Sequence, residues 1–329
     1  MSPEQRIVFS GIRPTGSAHL GNYVGALRNW VRLQDEYRCF FSIVTWHALS
    51  SEYEHAAEIK GRVFELACDL LGVGLDPERC TLFVQSDVKE HAELHLLLSM
   101  FTPLPWVERV PTFKEMQQEL SDHDIYTYGF LGYPVLQTAD IILYKAEVVP
   151  VGEDQASHLE LAREITRRFN RLIRPIFPEP QILLTEVPRL AGTDGRKMSK
   201  SFNNAVYLKD EPQVVRDKIS TMTTDTRRKR RLDPGEPDDC PVFTLHRAFV
   251  EKAVRDRLAA ECRRAGVGCL ECKQAVIDSL EALLAPFREK RSAFESHPQQ
   301  VWDILAAGAE GARAVARRTM AEVREGLGF

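Results

Sequence analysis

Ile7-Val8-Phe9-Ser10-Gly11-Ile12-Arg13-Pro14-Thr15-Gly16-Ser17-Ala18-His19-Leu20-Gly21-Asn22 is the stretch on which the fold is read. A short apolar run ends at Gly11 and a glycine-punctuated turn follows. From Asn22 onward Tyr23, Ala26, Leu27, Trp30 and Val31 recur at spacings of three and four. That order is strand, turn, helix. The pattern then repeats along the chain. Residues 39–44 (CFFSIV) form a near-continuous apolar run, as a strand covered on both faces requires. A helical pattern over 55–71 stops at Gly72, and Thr81-Leu82-Phe83-Val84 is another buried strand. Helical segments over 92–101 and 134–143 precede Val148-Val149-Pro150-Val151, a helix over 158–169 and the strand Ile182-Leu183-Leu184. Alternation of this kind predicts an α/β fold, an open, doubly wound parallel sheet with helices on both faces.

Past residue 204 the strand signals stop, and 214–219, 242–257, 274–284 and 306–323 read as helices. With 329 residues, enough for about two domains, the expected division is a catalytic domain over 1–204 and a helical domain over 205–298. A C-terminal helix over 299–329 returns to the first domain. No run approaches the ~18 apolar residues of a membrane helix, and residues 1–8 carry no apolar core of an export signal, so a cytoplasmic protein is expected. Lys and Arg number 43 against 47 Asp and Glu, a net charge of −4. A nucleic acid must therefore be held by a local basic patch rather than by the overall field, and the run Arg227-Arg228-Lys229-Arg230-Arg231 is the candidate.

In an open parallel sheet, ligands bind beyond the carboxyl ends of the strands, which is where the 11–22 turn falls. Gly11, Gly16 and Gly21 let the backbone approach an anion, and His19 offers a donor. The turn is neither a Walker loop nor a dinucleotide fingerprint. A second basic loop, Gly195-Arg196-Lys197-Met198-Ser199-Lys200-Ser201, suits closure over a polyphosphate whose charge grows as pyrophosphate leaves. Cys240, Cys262, Cys269 and Cys272 stand within 33 residues. Four thiols so spaced suggest metal ligation, by tetrahedral zinc or by an iron–sulfur cluster, and the spacing does not separate the two. Cys39, Cys68 and Cys80 fall in strand or helix patterns and read as core thiols.

His19-Leu20-Gly21-Asn22 and Lys197-Met198-Ser199-Lys200-Ser201 resemble the HIGH and KMSKS signatures of class I aminoacyl-tRNA synthetases, in the right order on a Rossmann-like chain. The flanking segments SGIRPTG (10–16), GNYVGAL (21–27), YPVLQTADI (133–141) and VPVGEDQ (149–155) resemble the tryptophanyl-tRNA synthetases. The resemblance implies ATP with Mg²⁺, L-tryptophan and tRNA(Trp) as substrates, no membrane partner, and a homodimer. His19, Lys197 and Lys200 would be catalytic. ATP would lie on Arg13, Pro14, Thr15, Gly21, Asn22, Lys114, Gly152, Glu153, Asp154, Lys197, Met198, Ser199, Lys200 and Ser201. Tryptophan would meet Phe9, Gly11, His47, Tyr133, Gln137, Asp140, Val149, Val151 and Gln155, with Asp140 accepting the indole N–H. Arg13 departs from the glutamine found there in many bacterial relatives. In a subset of the family four cysteines at almost this spacing hold a [4Fe–4S] cluster in the anticodon-binding domain, which favours that group over Zn²⁺. The helical region is then expected to be the anticodon-binding domain. Tyrosyl-tRNA synthetase, a non-catalytic synthetase-like paralogue, and a simple nucleotidyltransferase sharing only the first turn are the alternatives.

Overall fold

A computed structural model describes residues 5–110, 127–152, 156–184 and 189–329. These fall into two compact units. One comprises 1–16, 30–185 and 294–329, the other 17–29 and 186–293.

The first unit is built on one five-stranded parallel sheet: β1 (Ile7–Ile12), β2 (Arg38–Ile43), β3 (Cys80–Val84), β4 (Val148–Val151) and β5 (Gln181–Leu184), in the order β3-β2-β1-β4-β5. The β1–β2 register runs from Ile7 opposite Arg38 to Ile12 opposite Ile43, and β2 continues onto β3 from Cys39 opposite Cys80. All but the first residue of β2 are buried, because its five apolar or small residues are covered on both faces. The winding reverses between β1 and β4, so residues following β1, β2, β3 and β4 emerge at a topological switch point.

The helices α1 (Thr45–Glu52), α2 (Ile59–Gly72), α3 (Glu90–Ser99), α4 (Tyr133–Leu143) and α5 (Ala156–Leu172) connect the strands. Pro134 sits in the first turn of α4, where a missing N–H costs nothing. Eight of that helix's eleven residues are buried, and Asp140 is the one charged side chain among them. The long helix Pro298–Leu327 packs along β3, the sheet edge. Its Gly308 lies so near that a Cβ there would stand 1.9 Å from the Leu82 carbonyl oxygen. An edge strand covered by a helix offers no free ladder to another chain.

The second unit carries α6 (Pro212–Thr221), α7 (Pro241–Phe249), α8 (Lys252–Arg263) and α9 (Cys269–Glu295). Its core is made by Val215, Ile219, Leu245, Val276, Leu280 and Leu284. The single helix expected over 242–257 is broken. Val250 and Glu251 take extended backbone between α7 and α8. Among the described residues no helix is long and apolar enough to cross a membrane.

Candidate active site

His19 ends an extended segment and caps the short helix Leu20–Asn22 reciprocally. Its Nδ1 accepts the Asn22 N–H at 3.3 Å, and its own N–H donates to Asn22 Oδ1 at 3.0 Å. The helix thus starts two residues earlier than the periodicity suggests. Gly21 is required there, since a Cβ would stand 2.8 Å from the His19 ring. Burial, with a smaller push from Lys200, lowers the His19 pKa to about 4. At neutral pH the ring is therefore uncharged, and with Nδ1 engaged as acceptor its proton sits on Nε2, leaving one N–H to donate.

The lysine-bearing loop belongs to the same unit as His19. Met198 Cβ lies 4.0 Å from the position a Gly21 Cβ would take, so the two signature segments meet. Met198 is buried and its N–H donates to the Leu190 carbonyl at 2.9 Å. Lys197 is exposed and Lys200 half-buried. Ser199 and Ser201 hydrogen-bond through their hydroxyls at 2.8 Å. Asn204, absent from the sequence-based candidates, fixes the loop. It is buried, its Oδ1 accepts the Ser199 N–H at 2.8 Å, and its Nδ2 donates to the Lys197 carbonyl and to Asp194. Arg196 pairs with Asp194 and stacks on Phe202.

In the first unit Asp140 is 1% exposed, not the helix-surface charge its surroundings in sequence would suggest. Three side chains donate to it. His47 Nε2 reaches Oδ2 at 2.8 Å, His91 Nδ1 reaches Oδ1 at 2.7 Å, and Gln85 Nε2 lies 2.8 Å from both oxygens. Burial alone would raise the carboxyl's pKa, but His91 and His47 outweigh it and hold it down to about 2. An ionised carboxylate only accepts, so all three partners present N–H. Behind His91, Tyr144 Oη lies 2.7 Å from Nε2. Burial and the charge of Asp140 push the phenol well above its ordinary value, so Tyr144 keeps its proton. Gln85, His91 and Tyr144 were missed from sequence. The signal available for Gln85 was its place directly after β3, at the carboxyl end of a parallel strand.

His47 follows β2 and is the only one of the three donors with an exposed edge, its side chain 10% accessible. Its ring meets that of Tyr133 edge-on at 6.5 Å, and Tyr133 Oη lies 2.6 Å from His158 Nε2. Phe9 is buried and stacks on Tyr144 at 5.5 Å. Val149 joins the core; Gln137 and Val151 are half-buried. Gly11, near the end of β1, and Arg13, just beyond it, are exposed, Arg13 donating to Ser51 Oγ at 3.5 Å; Pro14 is buried, and Thr15 and Gly152 are half-buried. Lys114, Glu153, Asp154 and Gln155 lie outside the described residues.

In the second unit Cys240, Cys262, Cys269 and Cys272 line one small cavity of about 20 Å³, together with Arg228, Asp225, Val242, Phe243 and Lys273. Burial and the three neighbouring thiols push Cys272 up to about 12. Its Sγ lies 3.2 Å from His246 Nε2. Among the described residues no three His, Cys, Asp or Glu side chains are arranged to hold a metal ion. All seven cysteines are free thiols. The 227–231 run is not one solvated basic patch. Arg227 pairs with Asp225 and Asp239, Arg228 is buried beside Cys262, and only Lys229, Arg230 and Arg231 remain exposed without a carboxylate ion pair among the described residues.

A parallel sheet with this winding and a His19 cap meeting a KMSKS loop define a class I tRNA synthetase, and the family model described as "tRNA synthetases class I (W and Y)" matches residues 1–285. The chain is 47% identical to the tryptophan–tRNA ligase of Thermotoga maritima, covering 97% of this chain and 98% of that protein. To the one from Ralstonia nicotianae it is 42% identical, covering 100% and 99%. Among solved structures, the tryptophanyl-tRNA synthetase of Campylobacter jejuni complexed with ADP and tryptophan superposes with a TM-score of 0.86 at 32% identity, over 98% of this chain and 100% of that one. The chain belongs to the tryptophan–tRNA ligase family of the class I tRNA synthetases.

Proposed function

We propose that this chain activates L-tryptophan with Mg-ATP and transfers it to tRNA(Trp). The observation that carries the reading is the buried Asp140 carboxylate ringed by Gln85, His91 and His47. A fixed buried acceptor favours a side chain that brings its own donor, as an indole N–H does, over phenylalanine, whose ring brings none. Phe9, Gly11, Tyr133, Gln137, Val149, Val151 and Gln155 complete the tryptophan site in this reading. ATP is held by Arg13, Pro14, Thr15, Gly21, Asn22, Lys114, Gly152, Glu153, Asp154 and the 197–201 loop.

The chemistry is two displacements. A tryptophan carboxylate oxygen attacks the α-phosphorus of ATP, forming the mixed anhydride as Mg-pyrophosphate leaves. The 2′-hydroxyl of the terminal adenosine of the tRNA then attacks the acyl carbon, releasing AMP. His19 donates from neutral Nε2–H, while Lys197 and Lys200 supply positive charge that grows in value as the phosphates become more anionic. No side chain is needed as a nucleophile.

The division into a catalytic domain over 1–204, an anticodon-binding domain over 205–298 and a returning helix over 299–329 is part of the same proposal. So are action in the cytoplasm and a homodimer, for which exposed Leu96, Met100 and Leu104 offer apolar surface. The four late cysteines are proposed as ligands of a [4Fe–4S] cluster, with Zn²⁺ the alternative. Four thiols lining one cavity, three of them buried, fit a thiolate-ligated group. The group would staple a helical module of limited core.

Amino-acid-dependent ATP–pyrophosphate exchange tests the activity. Exchange with tryptophan and not with tyrosine or phenylalanine is expected, followed by charging of tRNA(Trp). Activation of tyrosine alone, or no exchange at all, would reject it. Iron, sulfide and zinc analysis of anaerobically purified protein decides the cysteine ligand question.

A further inference from the structure

Arg228 stands within the run of five basic residues that the sequence marks as a candidate nucleic-acid patch, yet it is only 9% exposed. It lines the same cavity as Cys240, Cys262, Cys269 and Cys272. Its Nη1 lies 3.7 Å from Cys262 Sγ, its Nη2 donates to the Arg231 carbonyl at 2.9 Å and to that of Val267, and its Nε is buried without a hydrogen-bond partner. Among the described residues no carboxylate forms an ion pair with it. Asp225, which lines the same cavity, spends its oxygens on Arg227 and on the backbone N–H groups of Arg227 and Glu236. Lys273 lines the cavity too, but its ammonium donates to the Ser220 and Met222 carbonyls.

A guanidinium does not shed its proton in a protein, and a buried charge without a counter-charge is strongly unfavourable. The missing negative charge must come from the cavity. Four thiolates around Zn²⁺, or around a [4Fe–4S]²⁺ core, each carry a net charge of −2. We propose that Arg228 is the resident counter-charge of the four-cysteine centre, holding the thiolates in place and, with a cluster, setting its reduction potential. This rests on the cysteines being ligands but not on which metal they hold.

Full-length wild type, Arg228→Gln and Arg228→Lys, each purified anaerobically, test it. Metal content and the half-time of metal loss to a chelator are read for all three, with thermal unfolding as the folding control. The expected result is loss at least tenfold faster in Arg228→Gln and near wild-type retention in Arg228→Lys. Where iron and sulfide are present, a dithionite titration followed by electron paramagnetic resonance gives the potential. One electron enters the cluster, which becomes one unit more negative, so losing the cation disfavours reduction. A tenfold shift of that equilibrium, 59 mV to lower potential, is expected in Arg228→Gln and not in Arg228→Lys. Equal retention and potential in wild type and Arg228→Gln overturns the proposal. Loss of metal from folded Arg228→Lys also overturns it, since a lysine keeps the charge but cannot bridge both carbonyls and the sulfur. Wild type free of iron and zinc rejects the ligand reading itself, a separate outcome. If Arg228→Gln does not fold, Arg228→Lys alone decides.

Discussion

Gln85 holds its amide nitrogen 2.8 Å from each carboxylate oxygen of Asp140, and its amide oxygen accepts the Trp46 N–H at 2.9 Å. The second bond fixes the first, because an amide turned the other way would set two oxygens of like polarity against each other. Gln85→Glu removes the donor and adds a negative charge beside Asp140. Loss of one buried hydrogen bond costs about 1–3 kcal/mol, so KM for tryptophan should rise roughly ten- to a hundredfold at 1.4 kcal/mol per decade, with KM for ATP little changed. Pyrophosphate exchange with each substrate varied checks it. Equal effects on both constants would place Gln85 outside the amino-acid site.

Acid should expose the same network. The folded pKa of Asp140, about 2, is depressed from an ordinary 3.8. Its stabilising contribution is therefore complete above about pH 4 and is lost as pH falls through 2. The amount is about 2 kcal/mol, at 1.36 kcal/mol per unit. Asp140→Asn should flatten stability between pH 4 and 2 relative to wild type, measured by denaturant unfolding. It should also narrow the preference for tryptophan over phenylalanine.

The fold was legible because a parallel sheet covered on both faces leaves near-continuous apolar runs, and β1, β2 and β3 all carry them. The signature segments were legible because each is contiguous. Around Asp140 legibility failed for a physical reason. Gln85 and His91 lie 55 and 49 residues from it, and no local spacing announces such a partnership. Polar residues in a helical or turn pattern read as surface, which is how the buried Arg228 came to be counted with the exposed basic run. The break at Val250 escaped because a valine in extended backbone carries neither glycine nor proline as a marker.

His19 should reveal itself in the milder acid range just above. Its folded pKa, about 4, lies below the ordinary 6.5. The unfolded chain therefore takes up a proton first, and stability falls as pH drops from 6.5 towards 4. His19→Asn keeps a side chain able to cap the helix Leu20–Asn22 and removes this titration. It should lessen the loss of stability over that window while lowering kcat for exchange, since the Nε2 donor is gone. A variant with unchanged kcat would show that His19 only caps.

Gly308 gives the sharpest test of the long C-terminal helix. A methyl at this position would stand 1.9 Å from the Leu82 carbonyl oxygen and 2.8 Å from its carbon. Both atoms are backbone in β3, and β3 is hydrogen-bonded to β2 along its length, so neither can turn aside as a side-chain tip would. The helix must instead lift from the sheet edge, taking Ala309, Ala312 and Ala316 out of close packing. Overpacking of this kind costs about 1–3 kcal/mol, occasionally more, and Gly308→Ala should sit at the upper end despite alanine's better helix propensity. Gly311, on the same helix with nothing within 4 Å of its Cβ position, is the control. Gly311→Ala should stabilise by a few tenths to about 1 kcal/mol. Chemical denaturation of the two variants should move the midpoint in opposite directions, and a neutral Gly308→Ala would mean that the helix does not press on β3.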